Sequence, residues 1–340
     1  MTEGSQGVEV TRKDFLFGVG LTGVSFVTGG LVGFGFGDSR SGDGGSPPQQ
    51  ATPSSGPQPS GKVTNPYPAS LVPATAETTK QLTLEATEKT VDIAAGVRYN
   101  AWTFGDSVPG PVVHMRQGDT LDFTFKNTSS QGHSIDFHSA QTPWNVNYVT
   151  IVPGKSLSFR WKANFPGVFM YHCGTPFVLH HIANGMYGAV VVDSDPPLEP
   201  AREYVIVQSE FYATAGENGS WDADEEKMKA ARPDLMAFNG GAFQYRDNPL
   251  PAAVGEKIRL YVMNAGPTLF SAFHVIGAIF DRVLVDGNPR NPLYGISTYT
   301  VAPGQGCTFD LTVPDAGQYP FVTHSFAYTE LGAVGLLDVK

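Results

Sequence analysis

Residues 170–186, MYHCGTPFVLHHIANGM, hold three of the chain's eight histidines, one of its two cysteines and two of its seven methionines. Cys173, His181 and Met186 form one C-x7-H-x4-M loop, and His133, in GHSIDFHSA, brings a second imidazole from upstream. Two imidazoles, a thiolate and a thioether are the ligand set of a blue-copper electron-transfer site, because soft sulfur suits Cu(I) and imidazole accommodates Cu(II). His180 beside His181 is an alternative ligand. The spacing in HIANGM favours His181, five residues before the methionine.

His172 precedes Cys173, and neighbouring residues on a strand point to opposite faces, so the two are expected to serve different metals. His138, five residues beyond His133, joins His172, with Asp136 close by. A third imidazole must come from elsewhere, and His324 is the candidate. Three imidazoles with an open position for water or substrate describe a catalytic metal site. The peptide link between His172 and Cys173 then gives electrons a short covalent route from one copper to the other. His274, in SAFHVIG, titrates near neutral pH and, with Asp136, suits a reduction that consumes protons. His114 (VVHMRQGD) receives no role, and Cys307 (QGCTFDL) reads as a buried thiol rather than a disulfide partner of Cys173.

The elements that must hold these residues are short strands rich in Val, Thr, Phe and Tyr, broken by Gly and Pro. LDFTFKN, SLSFRWKA, GAVVVD, KIRLYVMN and TFDLTV show partial period-two alternation. The expected fold is all-β, a β-sandwich. It occurs twice. VVHMRQGDTLDFTFKN matches AAVGEKIRLYVMN, YVTIVPGKSLSFRWKANFPGVFMYH matches TYTVAPGQGCTFDLTVPDAGQYPFVTH, and NGMYGAVVVD echoes ELGAVGLLDV. Two tandem Greek-key domains are expected, 67–197 and 198–340, with one short helix near 222–235. The second copy keeps His324 where the first has His172 but lacks the sulfur ligands.

Ahead of them, 38–66 is a Ser/Gly/Pro tether with little to bury. Residues 1–37 place Arg12 and Lys13 before an uncharged, Gly-rich, weakly apolar run. This reads as a twin-arginine-like export signal or an uncleaved membrane anchor, so the protein is expected outside the cytoplasm, periplasmic or at the cell surface. A net charge of -10 with only 16% charged residues, and no Lys/Arg cluster, disfavours a nucleic-acid binder, and no nucleic-acid partner is expected. A laccase-type trinuclear oxidase needs more than the eight histidines present, and its HxH pairs and HCH triplet are missing.

With HCGTPFVLHHIANGMYGAVVVD, NAGPTLFSAFHVIG and THSFAYTELGAVGLLDV, the chain from about residue 74 to 340 resembles the two-domain cupredoxin copper nitrite reductases, in the branch with a shortened type 1 loop. The resemblance implies two coppers per protomer: type 1 on His133, Cys173, His181 and Met186, type 2 on His138, His172 and His324. It implies Asp136 and His274 as the catalytic acid pair and Ile276 as the apolar wall of the nitrite pocket. It also implies a homotrimer in which His324 comes from a neighbouring subunit. The activity would be dissimilatory reduction of nitrite to nitric oxide, fed by a small cupredoxin or cytochrome c as in denitrification. Where the family has a small, glycine-rich stretch after His138, this chain reads SAQTPWNVNYVTIVPG, placing Trp144 and Tyr148 near the expected substrate approach. The alternatives are an electron-transfer or copper-handling cupredoxin with a vestigial second site, and another small-molecule oxidoreductase on the same scaffold.

Overall fold

The structure, a computed structural model, describes residues 56–340; the leader-like segment 1–37 and most of the tether lie outside the described residues. Among the described residues no helix is long and apolar enough to cross a membrane.

The first eight strands are β1 (Thr79–Ala94), β2 (Val97–Phe104), β3 (Val113–Arg116), β4 (Thr120–Asn127), β5 (Asp136–Phe137), β6 (Ser156–Lys162), β7 (Gly167–His172) and β8 (Tyr187–Asp193). Thirteen follow, in three groups. The first group is β9 (Arg202–Phe211), β10 (Ala213–Ala215), β11 (Trp221–Ala223) and β12 (Leu235–Phe238). Next come β13 (Leu250–Ala252), β14 (Lys257–Gly266), β15 (Ser271–Val275) and β16 (Phe280–Val285). The last are β17 (Pro292–Ile296), β18 (Thr298–Val301), β19 (Gly306–Thr312), β20 (Gly317–Thr323) and β21 (Val334–Val339).

They form two Greek-key β-sandwiches. In the first, the sheet β10-β11-β2-β1-β4-β6 packs on β3-β8-β7-β5; in the second, β12-β9-β14-β19-β16-β17 packs on β13-β21-β20-β15-β18. Alternation sets the faces: in β4, Leu121, Phe123 and Phe125 are buried while Thr120, Asp122 and Thr124 are half-exposed. These phenylalanines meet Met115, Tyr171 and Val190 in the first core, which also holds Cys173 and Met186.

The repeat read in the sequence is a repeat of pairing. β4 runs parallel to β1 and antiparallel to β6, and β14 pairs in the same senses with β9 and β19. β8 runs parallel to β3 and antiparallel to β7, as β21 does to β13 and β20. β8 is buried from Tyr187 to Val192 without alternation, as a strand covered on both faces must be. Its second face meets a joint core formed with Val205, Val207, Tyr261 and Met263 of the second sandwich.

Two segments cross between the sandwiches. Ser70 bridges to Tyr204, and β11, well past residue 198, pairs with β2 through Trp221 and Tyr99. The helix expected near 222–235 is shorter, Glu225–Lys229, with Asp224 as its N-cap accepting from the Lys227 N–H.

Candidate metal centre

β7 ends at His172, so the strand delivers His172 and Cys173 to the same edge of the first sandwich with opposed side chains. Beyond it the chain turns through a short helix, α1 being Trp144–Asn147 and this one α2, Val178–Ala183, which carries His181. Gly185 at φ +115 closes the loop, because a Cβ there would stand 2.9 Å from the Trp102 carbonyl oxygen and 2.7 Å from Val108. The loop is locked by two backbone bonds, Met186 N–H to the His181 carbonyl (3.1 Å) and Cys173 N–H to the Met186 carbonyl (3.1 Å). His133 is held by paired backbone bonds with Ile151 rather than by a regular strand.

These elements gather three donors. His133 Nδ1 lies 3.1 Å from His181 Nδ1, and Cys173 Sγ lies 3.3 Å from His181 Nδ1 and 3.8 Å from His133 Nδ1. Donors sharing one ion at bond lengths of about 2.0–2.3 Å stand roughly 3.3–3.7 Å apart. Burial, with the neighbouring histidine, pulls both imidazoles down to about 4, so each is neutral and keeps a lone pair. Burial pushes the Cys173 thiol up, while the Ser134 N–H donates to its sulfur at 3.3 Å. A bound metal would offset that burial by deprotonating the thiol. Met186 is fully buried in the same core as Cys173. His181 and not His180 joins the cluster; His180 stacks on Trp102 instead.

On the other face, Asp136, His138 and His172 form a second cluster. The His138 Nδ1–H donates to the Gly304 carbonyl (3.2 Å) and the His172 Nδ1–H to the Cys173 carbonyl (2.9 Å). Each Nδ1 therefore carries its proton, and the two Nε2 atoms face each other at 3.1 Å. Two lone pairs at that distance repel unless a cation lies between them, which is the donor chemistry of a metal site. The Asp136 carboxylate is 3.9 Å from His172 Nε2. Burial lowers the His172 pKa, keeping it a neutral ligand.

His324 stands outside this cluster on its own chain. Its ring packs against His274, with centroids 5.3 Å apart, and the His274 Nδ1–H donates to the Ser297 carbonyl at 2.6 Å. Ile276, just past the end of β15, is 40% exposed. Asp136 and His274 thus sit with different histidine pairs.

Trp144 in α1 is exposed, whereas Tyr148 turns inward, donating to the Phe137 carbonyl at 3.1 Å, and burial raises its phenol to about 12. His114 faces the Val72 carbonyl (2.7 Å) and Asp193 (3.0 Å) as a structural clamp. Both cysteines are free, and Cys307 is buried in the second core with its pKa raised to about 12. Sequence reasoning missed Trp102, Ser134 and Gly304. Only Ser134, adjacent to His133, carried a positional hint.

The two Greek-key sandwiches and the buried His-Cys-His cluster define a cupredoxin-type copper oxidoreductase. Residues 85–197 match the family described as multicopper oxidase. The chain is 40% identical over 267 residues to the copper-containing nitrite reductase of Neisseria meningitidis serogroup B, covering 76% of this chain and 68% of that protein. It is 32% identical to that of Rhizobium meliloti, covering 74% and 73%. The solved copper nitrite reductase of Nitrosomonas europaea superposes with a TM-score of 0.72 at 39% identity, covering 77% of this chain and 94% of that one. The chain belongs to the copper-containing nitrite reductases, copper-dependent oxidoreductases acting on nitrite.

Proposed function

We propose that the protein is a dissimilatory nitrite reductase that converts nitrite to nitric oxide and water, consuming one electron and two protons. His133, Cys173, His181 and Met186 would hold a type 1 copper, and His138 and His172 a type 2 copper. His324 would complete the second site from a neighbouring copy in a homotrimer. When bound, copper supplies a one-electron store at the first site and a Lewis acid for nitrite oxygen at the second.

The chain's own residues do the rest. The His172–Cys173 peptide joins the two ligand sets, and the His172 Nδ1–H bond to the Cys173 carbonyl adds a second link across it. Asp136, beside His172, and His274, on the neighbouring copy, would deliver the protons to the nitrite oxygen that leaves as water. Ile276 would close the pocket with an apolar wall. Residues 1–37 would direct the protein out of the cytoplasm or anchor it to a membrane, where a cupredoxin or cytochrome c supplies the electron.

The observation that carries this reading is the division of labour between adjacent residues: Cys173 turns to His133 and His181, His172 to His138. Copper counting with electron paramagnetic resonance tests it. Two coppers per chain with both signal types, and nitric oxide evolved from nitrite by the loaded protein, are expected. His138→Ala should abolish turnover and keep the blue colour. One tightly held copper and no nitric oxide would identify an electron carrier instead.

A further inference from the structure

Trp102 packs against both imidazoles of the first site, although no sequence pattern pointed to it. Its ring is 4.9 Å from the His181 ring and 5.4 Å from the His133 ring, centroid to centroid, and stacks on His180 at 4.8 Å with 27° between planes. Such separations are those of attractive aromatic pairs. Trp102 and His180 are half-buried, whereas His133, Cys173 and His181 are buried. The indole therefore stands between the donors and solvent. Its backbone is tied to the same loop, since the Trp102 N–H donates to the carbonyl of Asn184, the C-cap of α2, at 3.0 Å. Gly185 then passes over the Trp102 carbonyl where no side chain would fit.

We infer that Trp102 is a positioning residue of the His133–Cys173–His181 site, clamped by His180 so that its indole fixes both imidazole planes and keeps water from their edges. The inference rests on the proposed copper role of that cluster. It also gives His180 a role, because as the outer plate of the stack this ring holds the indole inward. An imidazole free to rotate about its side-chain bonds would lose the orientation that a metal–nitrogen bond requires.

The test uses the full chain loaded with copper, as wild type, Trp102→Leu, Trp102→Phe and His180→Leu. Three readouts are taken: the visible sulfur-to-copper band, the paramagnetic resonance spectrum, and the rate at which a chelator strips copper from the blue site. Trp102→Leu should shift the band and speed copper loss by about 10-fold or more, with the second copper signal unaltered. Trp102→Phe should restore most of both, and His180→Leu should give a smaller change in the same direction. Copper binding should also quench the indole fluorescence of wild type more than that of Trp102→Phe. A wild-type protein without a blue-copper signal would defeat the copper reading itself. A normal wild type with Trp102→Leu and His180→Leu matching it in band, spectrum and stripping rate would overturn this inference alone. Should Trp102→Leu not fold, His180→Leu matching wild type in band, spectrum and stripping rate overturns the inference by itself.

Discussion

Gly304, in the second sandwich, orients a candidate ligand of the first on the same chain. It sits at φ +79 in the turn before β19, and its carbonyl accepts the His138 Nδ1–H at 3.2 Å. A Cβ added there would stand 3.2 Å from His138 Cε1, close enough that the ring must give by a few tenths of an ångström. Gly304→Ala therefore carries two costs. Placing a side chain in left-handed backbone costs roughly 1–2 kcal/mol of stability. Displacing the group that fixes a ligand's tautomer weakens metal affinity by about 10–100-fold. The control separates them: Gly255, at φ +73, has nothing within 4 Å of an added Cβ, so Gly255→Ala carries the backbone cost alone. Chelator competition on copper-loaded protein reads affinity at the second site, and urea unfolding reads stability. Both variants should lose similar stability, and only Gly304→Ala should weaken the second copper while the blue band stays put. If Gly304→Ala holds that copper as tightly as Gly255→Ala does, the carbonyl contact is incidental and the reasoning fails.

Other consequences follow from groups away from the metals. Both ring nitrogens of His114 face acceptors, which favours the imidazolium; burial opposes this, but the Asp193 and Val72 bonds outweigh it and raise the pKa. A raised folded-state pKa stabilises below the unfolded value near 6.5 and is lost as pH climbs through the folded one. The stability gap between wild type and His114→Phe, from urea melts, should thus be widest below pH 6.5 and shrink as pH rises above it. Arg259 is buried and donates to buried Asp310 at 2.7 Å and to half-exposed Glu203 at 3.1 Å; Arg259→Leu removes one of the two arginines on Asp310, which Arg282 still reaches, and should cost at most about 3–5 kcal/mol in the same assay. Cys307, its thiol raised to about 12 by burial, should resist iodoacetamide at pH 8 in native protein and react once urea unfolds the chain, as mass spectrometry would show.

How much of this was legible in the sequence depends on whether the signal is local. Strands such as β4 and β19 announce themselves because alternation is a property of neighbouring residues. The His-Cys-His cluster was legible because a C-x7-H-x4-M loop brings its own ligands, and a strand end sends adjacent side chains apart. Trp102 and Gly304 were not. Trp102 reaches the site because β2 pairs with the loop after α2, and Gly304 reaches His138 across a sequence separation of 166 residues; neither residue type is unusual where it stands. The crossing of β10 and β11 onto the first sheet was equally hidden, since strand partners are chosen by the register of distant edges.

Register also explains what the second sandwich kept. Asp136 pairs with His172 across β5 and β7, and the His324 N–H donates to the Ala272 carbonyl one step beyond the β15–β20 ladder. Two residues on from Asp136 is His138, and two on from Ala272 is His274, so the pairs His138–His172 and His274–His324 occupy equivalent places. Their geometries agree, with centroids 5.1 Å and 84° apart in one and 5.3 Å and 73° in the other. The position equivalent to Cys173 is Ser325, which offers no thiolate. Each sandwich therefore carries an imidazole pair at the same strand edge, while only the first carries the sulfur donors. Neither pair supplies three imidazoles alone, which is the physical reason the proposed second copper needs residues from two copies of the chain.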